Sequence, residues 1–289
     1  MCEDKTLSVM PQTFGGEVPG IPGARVYDVD SLPGGIEGAL PAGLHAQAKA
    51  DEFLMAMPEV GRFRASGGAK IEVAPAIGAD PGLVRLLLNG TLRGALIHER
   101  GELPLHAATL VPPDGGAAVA ICGASGSGKS TLAAALTRRG WKLLADDMTR
   151  IAWQDGQAIA WPSRQFVKLW RDTCEAMGVD IASVEQVAAT LDKFYVPVPA
   201  HSEPAVLGSI FEITAGDVPA GQVKLAGERM ALLTRHTYRR EQIPALGAVA
   251  AYAQLLAKVA DACRLFRLAP ARAETPAALA GCIARMLNA

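Results

Sequence analysis

The chain has 289 residues, 50% of them hydrophobic and 20% charged, with a formal net charge of −1. The apolar share excludes wholesale disorder, and near-neutrality, with a pI of about 6.5, excludes a broadly basic nucleic-acid binder. No uninterrupted apolar run of about 18 residues occurs, so no membrane span is expected.

Met1-Cys2-Glu3-Asp4-Lys5 lacks the basic start and apolar core of a signal peptide. The five cysteines (Cys2, Cys122, Cys174, Cys263 and Cys282) are scattered, odd in number and without a CxxC pair. Neither a disulfide framework nor a zinc ribbon is suggested, and a cytoplasmic setting is expected.

Residues 11–45 are rich in Gly and Pro, with short β-like pieces such as Val26 to Val29. Phe63 to Ala65 and Lys70 to Val73 flank Gly67-Gly68, which reads as a hairpin. Pro81 to His98 reads as a helix, with Asp80 as N-cap and Pro81 in the first turn. Residues 1–100 therefore read as a small β-rich module closed by a helix. From residue 101 to 289 the pattern is α/β. Leu105 to Val111, Ala117 to Cys122, Trp141 to Leu144, Val206 to Ile213 and Leu265 to Leu268 read as strands. Ser130 to Arg139, Val167 to Met177, Val184 to Phe194, Arg229 to Arg239, Gly247 to Ala262 and Pro276 to Leu287 read as helices.

One motif stands out: Gly123-Ala124-Ser125-Gly126-Ser127-Gly128-Lys129-Ser130 fits G-x-x-x-x-G-K-[ST] throughout. Glycines let successive N–H groups turn toward phosphate oxygens, and the following helix adds the positive end of its dipole. Lys129 would sit on the β/γ-phosphates of ATP. The Ser130 hydroxyl would ligate Mg²⁺, and Thr131 follows it at the nucleotide. An apolar run precedes the loop and an Ala/Leu-rich helix follows, as the motif requires. Asp146-Asp147 ends the next strand, where two carboxylates can divide labour between metal and proton. Arg235 and Arg239, four apart on the expected helix, would share a face and could reach a γ-phosphate. Lys168 could do the same. Trp141, Trp153, Trp161 and Trp170 all fall in this half, where packing is the plain reading and lining of a groove the alternative.

Leu105-His106, the loop, and then Arg139-Gly140-Trp141-Lys142-Leu143-Leu144-Ala145-Asp146-Asp147 resemble the core of the HPr serine kinase/phosphorylase family. The likeness is tight over Leu105 to Ile151 and looser beyond. It implies a P-loop kinase fold of the phosphoenolpyruvate carboxykinase type and an ATP- and Mg²⁺-dependent serine kinase. In those terms Asp146 is the base, His106 lies beside it and tunes it, Lys129 neutralises the transferring phosphate, and Ser130 and Asp147 serve the metal. The family forms hexamers, so a homo-oligomer is compatible with the likeness.

The family's E-x-R-G-x-G-I segment is replaced by Trp161-Pro162-Ser163-Arg164-Gln165-Phe166-Val167-Lys168-Leu169-Trp170-Arg171-Asp172. That loss removes the usual second metal ligand, with Asp172 and Glu175 as candidate substitutes. Lys168-Leu169-Trp170 and Leu233 to Arg239 are similar to HPr-kinase-related proteins of lasso-peptide gene clusters. This narrower likeness implies a precursor-peptide partner, phosphorylated on a C-terminal serine, with neither nucleic acid nor membrane involved. A kinase of HPr itself or of a small metabolite is an alternative. A regulatory or transporter ATPase is another, although no L-S-G-G-Q signature accompanies the loop.

Overall fold

The computed structural model describes residues 13–214, 220–269 and 275–287. The first part is a seven-stranded sheet built from β1 (Gly16–Glu17), β2 (Arg25–Asp28), β3 (Leu40–Pro41), β4 (Ala46–Lys49), β5 (Glu52–Met57), β6 (Gly61–Ser66) and β7 (Lys70–Pro75), in the order β1-β2-β7-β6-β5-β4-β3. Alternation places Phe63 and Ala65 of β6 and Ile71 and Val73 of β7 on one buried face. That face packs on a helical rod formed by α1 (Pro81–Leu87), a π-helical turn over Leu88–Leu92, and α2 (Arg93–Glu99). Asp80 caps the rod by accepting from the Gly82 N–H at 2.8 Å. Gly67 and Gly68, both at positive φ, turn the β6–β7 hairpin and dock it on the rod's far end.

At that junction the Gly68 N–H donates to Glu99 Oε2 at 2.8 Å, while Glu99 Oε1 is buried without a partner. Burial pushes the Glu99 carboxyl up from 4.5 to about 7. The folded chain therefore holds a proton that the unfolded chain releases. Its contribution to stability is full below pH 4.5 and is lost as pH rises through about 7. Glu99→Gln is expected to flatten that slope and to raise stability at pH 8 by about 1 kcal/mol, as read from urea melts across the pH range.

The second part centres on a nine-stranded curled sheet. Its strands are β8 (Leu103–Leu105), β9 (Ala107–Val111), β10 (Ala118–Gly123), β11 (Lys142–Ala145), β12 (Thr149–Gln154), β13 (Gln157–Trp161), β17 (Ala205–Ile213), β18 (Gly221–Gln222) and β19 (Arg264–Leu268). In the middle β10, β17 and β19 run parallel, and β9 and β11 add antiparallel on one side. The near end of β17 hands the ladder to β13, β12 and β8. A small antiparallel sheet of β14 (Phe166–Trp170), β16 (Leu191–Pro197) and β15 (Glu185–Ala188), in that order, stands beside it. On one face of the large sheet lie α5 (Ala226–Arg235) and α6 (Val249–Ala262). On the other lie α3 (Lys129–Thr137), α7 (Pro276–Leu287), the small sheet and α4 (Arg171–Ala176). Met148, Ala245 and Leu246 join the apolar cluster of the first sheet, so the two parts share a core. Among the described residues no helix is long and apolar enough to cross a membrane.

Four sequence expectations are corrected. Val167 to Met177 is not one helix: its first half belongs to β14, where Val167 and Leu169 alternate inward with period two, and only Arg171–Ala176 is helical. Val184 to Phe194 is not a helix either. The β-branched and aromatic residues of Leu-Asp-Lys-Phe-Tyr-Val-Pro form β16, with Phe194 and Val196 buried on one side. The helix at Arg229 to Arg239 stops at Arg235, because the following segment pairs with β8: Leu105 bridges Thr237, and the Tyr238 N–H donates to the Pro104 carbonyl at 2.8 Å. Finally, Leu105 to Val111 is two strands interrupted at His106, whose N–H turns aside to the His236 carbonyl at 2.7 Å.

Candidate active site

The glycine-rich loop leaves the end of buried strand β10 and enters α3. Gly128, at φ 89°, makes the left-handed turn at the helix entrance. A Cβ on Gly123 would meet Ser127 Oγ at 2.4 Å and the Ile213 carbonyl at 3.2 Å, so the loop closes only over glycine. The first-turn N–H groups of α3 have no intrahelical partners and face the loop's concavity. Lys129 is buried, and its ammonium donates to the carbonyls of Gly123 and Ala124 at 2.8 and 2.9 Å. The lysine is folded back onto its own loop.

Asp146 and Asp147 follow β11, and Asp147 takes a left-handed backbone (φ 68°) that turns the two carboxylates apart. Asp146 accepts from the Ser130 hydroxyl at 3.0 Å and from the Lys168 N–H at 2.9 Å. Asp147 pairs with the Lys168 ammonium, and its carbonyl accepts from His106 Nδ1 at 2.8 Å. Burial and the neighbouring Asp147 charge raise the Asp146 carboxyl above the usual range. For Asp147 burial works in the same direction, but Lys168, His106 and Lys193 outweigh it and hold it below the usual range. Burial and the Lys129 charge lower the His106 imidazole from its ordinary value, and its Nδ1 donates to the Asp147 carbonyl.

These contacts differ from the sequence expectation of His106 beside Asp146 and of Ser130 and Asp147 together at the metal. His106 meets Asp147 rather than Asp146: its Nδ1 is 3.8 Å from Asp147 Oδ1. Ser130 bonds Asp146 rather than Asp147. The local reason is the turn at Asp147, which swings the second carboxylate toward the β8–β9 break where His106 sits.

A cavity of about 240 Å³ opens in front of the loop, lined among others by Ser125, Gly126, Gly128, Lys129, Ser130 and Thr131, with His106, Asp147 and Lys168 across from them. Neither Arg235 nor Arg239 lines it. Arg235 pairs with the buried Glu212, which also accepts from His236 Nε2 at 2.8 Å. Arg239, past the end of the helix at φ 52°, lies over the Tyr238 ring and is 3.6 Å from Glu241. The two arginines do not share a helix face, and they are not gathered at the phosphate loop.

Lys193 is a cavity residue that the sequence reading missed. It lies opposite Trp170 in the β14–β16 ladder, over that ring at 4.4 Å, and contributes a cation beside Lys168. The signal was the period-two run Lys193-Phe194-Tyr195-Val196, obscured by reading the segment as helix. Trp170 is half-exposed at the rim of this cavity, whereas Trp141 is buried and Trp161 stacks under Arg150 at 4.3 Å.

The site fits a magnesium–nucleotide complex. Its donors are hard oxygens, with the Ser130 hydroxyl 3.0 Å from Asp146 Oδ1, and Mg²⁺ typically takes only one or two carboxylates plus phosphates. Of the proposed second ligands, Asp172 lines the cavity but accepts from its neighbour Thr173 N–H at 2.6 Å. Glu175 does not line it. Among the described residues no group of three or more His, Cys, Asp or Glu side chains forms a dedicated metal cage.

No protein-family model matches the chain, and no curated protein matches it. Among solved structures, it is similar to the HPr(Ser) kinase/phosphatase from Coxiella burnetii at 14% identity, over 64% of this chain and 93% of that one, with a TM-score of 0.35.

Proposed function

We propose that this protein is an ATP- and Mg²⁺-dependent kinase with a P-loop fold of the HPr kinase type, transferring the γ-phosphate to a serine hydroxyl of a peptide. The observation that carries this reading is the position of Asp147. It faces the phosphate-loop cavity and also lines a second cavity behind it. A hydrolase needs room for a water only. A carboxylate between a phosphate loop and a separate recess suits an acceptor hydroxyl that arrives from the far side.

In this reading the loop N–H groups and Lys129 bind the β/γ-phosphates, with Lys129 turning away from the Gly123 and Ala124 carbonyls. Ser130 and Asp146 are the oxygen donors for the metal, which supplies charge neutralisation at the transferring phosphate. Asp147 would accept the hydroxyl proton as the acceptor oxygen bonds to the γ-phosphorus and the bond from that phosphorus to the β–γ bridging oxygen breaks, with ADP as the leaving group. Lys168 and His106 fix the position of Asp147. Phosphoryl transfer needs only modest basicity, because positioning and charge do most of the work. The sequence resemblance supports narrowing the acceptor to the C-terminal serine of a lasso-peptide precursor, with residues 1–100 as an accessory module.

Incubation with ATP, Mg²⁺ and serine-containing peptides, read by acceptor mass, tests this. The expected result is a gain of one phosphate on the peptide. ATP consumption with every acceptor unmodified would replace the kinase with the ATPase reading.

A further inference from the structure

On the side of the Asp146–Asp147 pair toward the helical rod lies a small recess of about 40 Å³, walled by both carboxylates and by Arg93, Arg164, Tyr195 and Lys168. Its deepest cation is out of place. Arg93 is 4% exposed and begins α2 directly after the π-helical turn. Such turns are rare and concentrate at functional sites. Arg93 Nη1 donates to the Met148 carbonyl at 3.2 Å, but Nε and Nη2 have no partner. No carboxylate forms a salt bridge with it among the described residues, and burial together with Arg150 and Arg164 lowers it to about 10. Arg150 is not available as a partner for an anion, being engaged bidentately by Glu102. Arg164 is half-buried, lies 5.8 Å from the centre of the Phe166 ring, and likewise forms no salt bridge. Its acidic neighbour Glu185 is bonded to Arg85 at 3.3 Å.

The negative charge that acts on Arg93 is that of Asp147, which Lys168 already holds. Burying a guanidinium without a bonded counter-charge is costly, and a recess this size has room for a group of a few heavy atoms. A carboxylate fits both the volume and the two-pronged donor set of arginine. Its position is equally informative. Asp147 and Lys168 are walls of this recess and of the nucleotide cavity, so a group bound here sits across the carboxylates from the phosphate loop.

We infer that Arg93 and Arg164 form a subsite for a carboxylate of the acceptor, placed so that a hydroxyl within a few bonds of it reaches Asp147. For a serine acceptor, that carboxylate is either the free α-carboxylate of a terminal serine or the side chain of an adjacent acidic residue. The assignment of the hydroxyl rests on the kinase reading; the binding of a carboxylate does not.

The test uses the full chain loaded with Mg²⁺ and a non-hydrolysable ATP analogue, so that the phosphate loop is filled. Three probes are compared: a peptide ending in serine as the free acid, the same peptide as its amide, and an amidated peptide with Asp after the serine. Binding is read by ligand-observed NMR, and transfer is read separately with ATP. The acid or the Asp peptide is expected to bind at least about tenfold more tightly than the plain amide, and whichever of the two does so identifies the source of the carboxylate. Arg164→Gln, at a half-buried position that a glutamine can occupy, is expected to erase that difference through KM while MgATP affinity stays the same. Arg93→Lys, retaining charge but losing the fork, is expected to erase most of it. Equal binding of all three probes by the wild-type chain would overturn the subsite, as would a preference that survives Arg164→Gln. A carboxylate preference without any phosphoryl transfer would leave the subsite standing and remove the kinase reading.

Discussion

Asp147→Asn is expected to lower phosphoryl transfer by about 10²–10⁴-fold while MgATP affinity stays within about threefold. The reason is geometric. Asp147 alone of the pair lines the phosphate-loop cavity, and it is held there by Lys168 and by the His106 contact to its own carbonyl. Asparagine keeps the shape and one acceptor oxygen but cannot take a proton. Asp146→Asn is expected to act differently, raising the Mg²⁺ concentration needed for half-maximal nucleotide binding, because Asp146 shares its oxygens with Ser130. Equilibrium binding of a fluorescent ATP analogue over a Mg²⁺ titration, beside single-turnover transfer, separates the two. Should Asp146→Asn abolish transfer at saturating Mg²⁺ and Asp147→Asn leave it intact, the roles revert to those read from the sequence.

Lys129→Met is expected to reduce turnover by about 10²–10³-fold, the usual cost of removing one preorganised charge at a transferring group. This loss should appear in both nucleotide affinity and rate. The Lys129 ammonium donates to the carbonyls of Gly123 and Ala124. Methionine leaves those carbonyls facing the cavity, and their negative ends oppose a phosphate. Binding of a non-hydrolysable ATP analogue by calorimetry, with the melting temperature as a check on folding, measures the effect. Wild-type affinity in Lys129→Met would show that the lysine stays on its carbonyls and takes no part.

Much of the site could be read directly because its signals are local. The loop, its strand and its helix lie within twenty residues, and the glycine pattern states its own backbone geometry. The Asp pair was legible for the same reason. What the sequence concealed depends on contacts between distant segments. Lys168 and Lys193 become neighbours only through the β14–β16 ladder, and that ladder was hidden where a short apolar run was read as helix. Arg93 and Arg164 meet across the junction of the two parts of the molecule, 71 residues apart. Arg235 and Arg239 failed as a pair because tertiary pairing with β8 ended the helix that their spacing presupposed. His106 was expected beside Asp146, whereas the structure sets it against Asp147, the one left-handed residue of the pair.

Strand β10, which carries the phosphate loop, is flanked by β9 just before it and by β17, which arrives about 85 residues later. His106 is fixed by the carbonyl of His236, later still. On a ribosome the loop's sequence therefore emerges long before the frame that holds it. Through that interval the edge of β10 has no parallel partner and the His106 N–H has no His236 carbonyl to donate to. The parts of the site are therefore brought into one frame only after residues past 236 have been made, so the order of synthesis leaves its assembly to the end.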